Sequence, residues 1–170
     1  MTITVVYDSE FGNTGTLAAA IADELRTGGE VQVINVRVDP VTPSPAVDLL
    51  VVGGPTQVHG VTVPLRTFLD ALPATVVAGV AAATFDTRVH GPQFLTGAAS
   101  KGVANQLARR SAHLIKPAES FLVDGKEGPL AEGELERARA WARTVLVASA
   151  PTGASSPRTL SAPVRSGLES

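Results

Sequence analysis

The chain has 170 residues, of which 44% are hydrophobic and 18% charged, as is typical of one soluble globular domain. The absence of cysteine excludes disulfides, thiolate zinc sites and cysteine nucleophiles, and a net charge of -2 gives no reason to expect nucleic acid or anionic lipid as a partner. No apolar run reaches the roughly 18 to 20 residues of a membrane span, and the first residues lack the basic region of a signal peptide, so we expect a cytoplasmic protein without a membrane partner.

Short apolar segments rich in β-branched or small residues alternate along the chain with segments of helical periodicity. The predicted strands are residues 3–7, 31–36, 48–52, 76–85 and 119–123. The first predicted helix carries Leu17, Ile21 and Leu25 on one face and ends near Gly28. Further helices are predicted over residues 62–72, 96–114 and 132–147, and the three prolines of residues 39–45 exclude a long helix there.

This alternation predicts an α/β fold, with a parallel sheet covered by helices on both faces. Such sheets bind ligands at the carboxyl ends of their strands, so function is expected in the loops after Tyr7, Val52 and Phe85. Beyond the last helix, Ser, Pro, Gly, Ala and Thr dominate. We therefore expect one domain over residues 1–149 and a disordered tail over residues 150–170.

The segment after the first strand, residues 8–14, has the composition of an anion-binding loop and is called here the phosphate loop. Gly12 permits a tight backbone path, while Ser9, Asn13 and Thr14 offer hydroxyl and amide hydrogens. The helix that follows directs its free N–H groups and positive dipole end into the same space, so a phosphate can bind without a lysine. The Walker and dinucleotide glycine patterns are absent. The alternative is that Asn13 or Thr14 only caps the helix.

A strand, then Ser-x-x-Gly-Asn-Thr, then a helix resembles the phosphate loop of flavodoxins, which holds the 5′-phosphate of FMN. Residues 48–56 and 84–88 are similar to the third and fourth strands of that family with their flavin loops, and the resemblance covers residues 1–147. It implies a flavodoxin-like doubly wound five-stranded parallel sheet in the order 2-1-3-4-5, with FMN as cofactor. The phosphate-binding residues that it implies are Ser9, Glu10, Phe11, Gly12, Asn13 and Thr14. Phe11 stands where many flavodoxins have a third hydroxyl residue, which removes one possible contact.

The resemblance also implies two loops that hold the flavin ring, the second loop (residues 53–60) and the third loop (residues 84–92). The implied contacts are Pro55, Thr56, Gln57, His59 and Gly60 in the second loop and Phe85, Asp86, Thr87, Arg88, His90 and Gly91 in the third. In flavodoxins a peptide of the second loop turns its carbonyl toward flavin N5, and the His59–Gly60 peptide is the candidate here. Arg88 would lie near N1 and O2 of the ring. The alternatives are a surface ion pair of Arg88 with Asp86, and solvated roles for His59 and His90.

The sequence departs from the flavodoxin pattern in its aromatic residues. Flavodoxins usually enclose the ring between a Trp, or a similar residue, and a Tyr. Trp141 lies on the last predicted helix and Tyr7 in the first strand, so neither is in the two ring loops. The loss of two stacking contacts is expected to weaken FMN binding about tenfold or more. Trp141 is expected to pack in the core.

Other catalytic patterns were not found. The chain has no Gly-x-Ser-x-Gly, no His-Glu-x-x-His and no paired metal-ligand spacing, so we predict neither a catalytic side chain nor a bound metal. Glutamates near the last helix, at positions 127, 132, 134 and 136, are expected to form a solvated helix start.

The sequence thus predicts an FMN-binding flavoprotein of electron transport, with a protein redox partner, as a monomer or weak dimer. The first alternative is a binding or regulatory module whose cofactor site is weak or lost. The second is an oxidoreductase, a flavin-dependent quinone or NADPH reductase.

Overall fold

The computed structural model describes residues 1–39, 46–57, 60–91 and 98–150 of the chain. The segment predicted to lack a long helix, apart from Asp39, lies outside these ranges, as do the predicted tail from residue 151 onward and His59 of the second loop.

Strands and helices alternate along the described chain. The strands are β1 Thr2–Tyr7, β2 Glu30–Asn35, β3 Leu49–Pro55, β4 Ala81–Val89, β5 His113–Leu114 and β6 Glu119–Val123. The helices are α1 Asn13–Leu25, α2 Val63–Ala71, α3 Ala74–Val77, α4 Ala99–Arg109 and α5 Glu134–Ser149. None of these helices is both long enough and apolar enough to cross a membrane.

The strands form one parallel sheet in the order β2-β1-β3-β4, and β5 and β6 follow one another end to end along the free edge of β4. β5 pairs with Ala81 and Ala82, and β6 pairs with the segment from Phe85 to Val89. Two short strands therefore fill the fifth position, and the predicted order 2-1-3-4-5 is confirmed. The carboxyl ends of β1, β3 and β4 lie next to one another, which brings the phosphate loop, second loop and third loop to one edge.

Both faces of the sheet are covered, which explains why its central strands are rich in apolar residues on both faces. One core lies under α1 and α5 and contains Leu17, Ile21, Phe85 and Trp141; the other lies under α2 and α4 and contains Leu65. The apolar stripe predicted for α1 is confirmed, because Leu17, Ile21 and Leu25 are fully buried.

Two predicted elements have different bounds in the structure. Residues 76–80 were predicted as strand, but α3 and a turn at Gly79, where φ is +77°, occupy this segment, so β4 begins at Ala81. β4 also continues past its predicted end at residue 85 to Val89, so the first part of the third loop is strand. The helix predicted over residues 96–114 begins at Ala99 and ends at Arg109. Ser111 adopts a left-handed φ of 64°, which ends the helical path and sends His113 into β5.

The predicted third strand was also too short, because β3 continues through its two glycines to Pro55. Gly53 pairs with Phe85 in register, and a Cβ on Gly53 would lie 2.2 Å from Cζ of Phe85. Only glycine leaves room for the Phe85 ring at this point, so Gly53 belongs to the packing of the sheet as well as to the second loop.

Candidate functional site

The phosphate loop is arranged around the hydroxyl of Ser9. Its Oγ accepts hydrogen bonds from the backbone N–H groups of Gly12 and Gly15, each at 3.1 Å. Gly12 has a φ of +91°, a left-handed conformation that glycine adopts without strain. A hydroxyl accepts two hydrogen bonds and donates one, so Ser9 still has its hydrogen to donate to a ligand.

The residue before α1 is Gly12, and the free N–H of Gly15 in the first turn is satisfied by Ser9 Oγ, so the side chain that caps this helix is that of Ser9 and not that of Asn13 or Thr14. Asn13 Nδ2 instead donates to the carbonyl of Glu127 at 3.0 Å, and the Thr14 hydroxyl lies 2.9 Å from that of Thr87. The N–H of Thr16 bonds to the Gly12 carbonyl at 2.9 Å. Within the described residues, the backbone N–H groups of Asn13 and Thr14 therefore have no hydrogen-bond acceptor, and they lie at the positive end of the helix dipole.

Thr87 connects the three loops, a role that sequence reasoning missed. Thr14 and Thr87 are both buried, with 2% and 4% of each residue exposed, and their hydroxyls share one hydrogen bond. The pair contains two hydrogens and uses one between them, so a second is left for another acceptor. The Thr87 carbonyl accepts the N–H of Thr56 at 2.7 Å, and Thr56 Oγ1 accepts the N–H of Ala99 at the start of α4 at 2.9 Å.

The second loop turns back on itself at Gly60. The N–H of Gly60 donates to the carbonyl of Gln57 at 2.8 Å, and the N–H of Gln57 donates to the carbonyl of Gly60 at 3.3 Å. Gly60 has a φ of +101°, a left-handed conformation that glycine adopts without strain, and a Cβ there would meet no atom within 4 Å. A flip of the peptide before Gly60 would break the shorter bond. His59 lies outside the described residues, so its role stays a prediction.

Two predicted residues of the third loop direct their side chains into the protein. Phe85 is fully buried, with its ring centroid 6.0 Å from that of Trp141, which confirms core packing for Trp141. Asp86 is also fully buried, and its Oδ2 accepts hydrogen bonds from the N–H and the hydroxyl of Ser100, at 2.8 and 2.7 Å. Asp86 thus holds the first turn of α4. The side chains of Phe85 and Asp86 are therefore buried in the protein, and only their backbone groups are left to contact a ligand. Their predicted contact with the flavin stays a prediction.

The outer part of the third loop is more exposed. Arg88 Nη1 donates to the carbonyl of Gly91 at 2.9 Å. Asp86 is buried and bonds to Ser100, so the alternative of a surface ion pair between Asp86 and Arg88 is not the arrangement found. His90 is exposed, and its Nε2 lies 3.3 Å from Oδ1 of Asp124. Gly91 has a φ of +138°, a backbone conformation that favours glycine, so no side chain covers the backbone at this end of the loop.

A charged cluster that the sequence did not reveal lies beside the phosphate loop. Asp8 is fully buried, and its carboxylate accepts hydrogen bonds from Arg37 Nε, Arg37 Nη2 and the hydroxyl of Thr62. Glu10 Oε2 accepts a hydrogen bond from Gln57 Nε2 at 2.9 Å and lies 4.0 Å from Arg37 Nη2. Arg37 follows β2, the neighbour of β1, so the predicted strand order was the one signal that could have placed it here.

The segment between β6 and α5 lies against the phosphate loop and is fixed by Glu134. A Cβ on Gly128 would lie 2.5 Å from the Asn13 side chain, so the two segments are in close contact. Glu134 accepts hydrogen bonds from the N–H of Leu122 and from Arg137 Nη2, both at 2.7 Å. Burial alone would raise the pKa of Glu134, but these hydrogen bonds outweigh it and lower the pKa below the ordinary 4.5. The bond to Glu134 also raises the pKa of Arg137.

No protein-family model and no curated protein sequence matches this chain. Solved structures do match it over most of its length. A flavodoxin from the domain Archaea superposes with a TM-score of 0.73 and 21% identity, covering 88% of this chain and 99% of that one. Flavodoxin 1 from Bacillus cereus gives 0.70 and 19%, covering 86% and 97%. The flavodiiron protein from Giardia intestinalis gives 0.70 and 19%, covering 87% of this chain and 36% of that one. The chain therefore has the flavodoxin-like fold.

Proposed function

We propose that this protein is a cytoplasmic FMN-binding electron-transfer protein that exchanges electrons with a partner protein. The fold supports this proposal, and so do the solved structures of similar fold that are named flavodoxins. The observation that carries it is the set of hydrogen-bond donors left at the phosphate loop after its internal hydrogen bonds are counted.

The donors at the phosphate loop fit a phosphate group. They comprise the hydroxyl hydrogen of Ser9, the second hydrogen of the Thr14–Thr87 pair, and the backbone N–H groups of Asn13 and Thr14. A Cβ on Gly12 would meet no atom within 4 Å, so the loop is open on that side. Short bonds from several N–H and O–H groups to an anionic oxygen are the strong, charge-assisted kind. In this proposal Glu10 and Phe11 shape the rim of the loop.

The second and third loops would hold the ring between backbone groups. The proposed contacts from the second loop are Pro55, Thr56, Gln57 and Gly60, and those from the third loop are Thr87, Arg88, His90 and Gly91. Because β3 and β4 are neighbours, both sets lie at the same edge of the sheet. When bound, the flavin supplies the one- and two-electron chemistry. The chain positions it, and the Arg88 guanidinium adds positive charge at the third loop, which favours a reduced, anionic flavin.

A second function, a binding module with a weak or lost cofactor site, is favoured by the positions of Trp141 and Tyr7. Trp141 is 8% exposed and packs against Phe85 and Phe121. The Tyr7 ring lies beside Gly15, where a Cβ would be 3.3 Å from Tyr7 Cε2. Trp141 meets the third loop only at the buried ring of Phe85, and the Tyr7 ring lies against α1, so within the described residues neither side chain is placed to stack on a flavin ring.

A flavin titration separates the two functions. We expect the purified protein to be yellow, or to become yellow with added FMN, and to bind FMN more tightly than riboflavin because only FMN carries the phosphate. Titrations with FMN, riboflavin and FAD, followed by flavin fluorescence, measure this preference. Tighter binding of riboflavin than of FMN would refute the assignment of the phosphate loop. Failure of all three to bind would refute the electron-transfer function and support the binding module.

A further inference from the structure

The phosphate loop contains two carboxylates, Asp8 and Glu10, and no basic residue. Asp8 and Glu10 are the chain neighbours of Ser9, whose hydroxyl is the centre of the loop, so two negative charges belong to the loop proposed to take a doubly negative phosphate. Asp8 is fully buried, where its charge is weakly screened by water. Without compensation, these charges would oppose the binding of FMN but not of uncharged riboflavin.

Arg37 is placed to compensate both carboxylates. Its Nε and Nη2 donate to the two oxygens of Asp8, and Nη2 also lies 4.0 Å from Oε2 of Glu10. A guanidinium stays protonated throughout the pH range in which proteins are folded, so this charge is constant. The side chain is one-third exposed, at 33%, and reaches the loop from the segment after β2. The cation that the phosphate loop lacks in sequence is thus supplied by a neighbouring strand.

The contact with Glu10 distinguishes charge compensation from a purely structural role. Asp8 is buried and needs hydrogen-bond partners in any case, and Thr62 already donates one. Glu10 is 43% exposed and is hydrated without Arg37, so the fold does not require that contact. A single cation that reaches both the buried and the exposed carboxylate lowers the negative potential of the whole loop.

We infer that Arg37 is a specificity-determining residue of the proposed flavin site, which lets the phosphate loop accept a phosphorylated flavin by neutralising Asp8 and Glu10. The inference rests on the proposed function. It assigns part of the preference for FMN over riboflavin to a residue that lies outside the three loops.

The test measures the dissociation constants of FMN and riboflavin for wild type, Arg37→Gln, Glu10→Gln and the double variant at low ionic strength. Arg37→Gln is expected to weaken FMN about tenfold or more and riboflavin about twofold or less, because only FMN meets the uncompensated carboxylates. Glu10→Gln is expected to strengthen FMN alone, and in the double variant to restore part of the lost affinity. Arg26→Ala is the matched control, since it breaks the exposed pair with Asp23 on α1, away from the loop.

The outcomes separate this inference from the function on which it rests. If wild type binds FMN but Arg37→Gln weakens both flavins equally, Arg37 is only structural and the inference is overturned while the proposed function stands. If Arg37→Gln does not fold, as judged by circular dichroism, Glu10→Gln decides: an unchanged ratio of FMN to riboflavin affinity overturns the inference. If wild type binds neither flavin, the proposed function fails and the inference fails with it.

Discussion

Replacement of Thr14 by valine tests whether the phosphate loop recognises phosphate or merely starts a helix. Thr14 is 2% exposed, so valine keeps the shape of the side chain and removes only the hydroxyl. In the proposed site Thr87 donates to Thr14, and Thr14 donates to the phosphate. A hydrogen bond to a charged group contributes about 1.5 to 3 kcal/mol, which corresponds to roughly 10- to 150-fold in the dissociation constant of FMN.

The same substitution also leaves the buried Thr87 hydroxyl without its partner at 2.9 Å. That structural loss is present whichever flavin is added, so it cancels in the ratio of the FMN and riboflavin dissociation constants. Thermal unfolding should be measured first to confirm that the variant is folded. Thr84→Val is the matched control, because the Thr84 hydroxyl is also buried but donates to the Ser100 carbonyl at 3.0 Å on the other face of β4. Equal weakening of both flavins by Thr14→Val would show that the phosphate-recognition argument is wrong.

Two further predictions concern the framework of the site. Gly53→Ala should lower the free energy of unfolding by about 3 kcal/mol, at the upper end of the usual overpacking cost. The reason is that the new Cβ would lie 2.2 Å from Phe85, whose ring is enclosed by Phe121 and Trp141. Urea denaturation measures this change, and a loss below about 0.5 kcal/mol, the range of neutral surface changes, would contradict the prediction. Glu134 has a lowered pKa in the folded protein, so its stabilisation is fully present above the ordinary 4.5 and is lost as pH falls through the lowered value. Glu134→Gln should therefore destabilise the protein by about 1 to 3 kcal/mol near pH 7 and by less near pH 3, and a difference that does not depend on pH would rule this out.

The solvated helix start expected for the glutamates near the beginning of α5 is wrong for Glu134, the first residue of that helix. This residue is 8% exposed and holds β6 to α5 through Leu122 and Arg137. The position of Glu134 in the first turn of the predicted helix indicated a favourable interaction with the helix dipole. That interaction requires only that the negative charge lie in the first turn. Whether that charge faces water or a neighbouring strand depends on how the helix docks, and the periodicity of the short first turn does not carry that information.

The sequence by itself determined the main alternation of strands and helices, though not the short elements α3 and β5, and it also determined the apolar faces of the helices and the loop around Ser9 and Gly12. Each of these depends on residues within a few positions of one another, so local periodicity and local backbone freedom suffice. Because strands of a parallel sheet place their carboxyl ends together, the edge that holds the candidate site followed from the same pattern.

Only the tertiary structure decided which side chains of that edge face a ligand. β4 is apolar on both faces over its first half, so alternation could not show that Phe85 points into one core and Asp86 toward α4. The contacts of Thr14 with Thr87 and of Asp8 with Arg37 join residues 73 and 29 positions apart. Such contacts are set by the register of neighbouring strands and the docking of helices, which depend on the packing of the whole core.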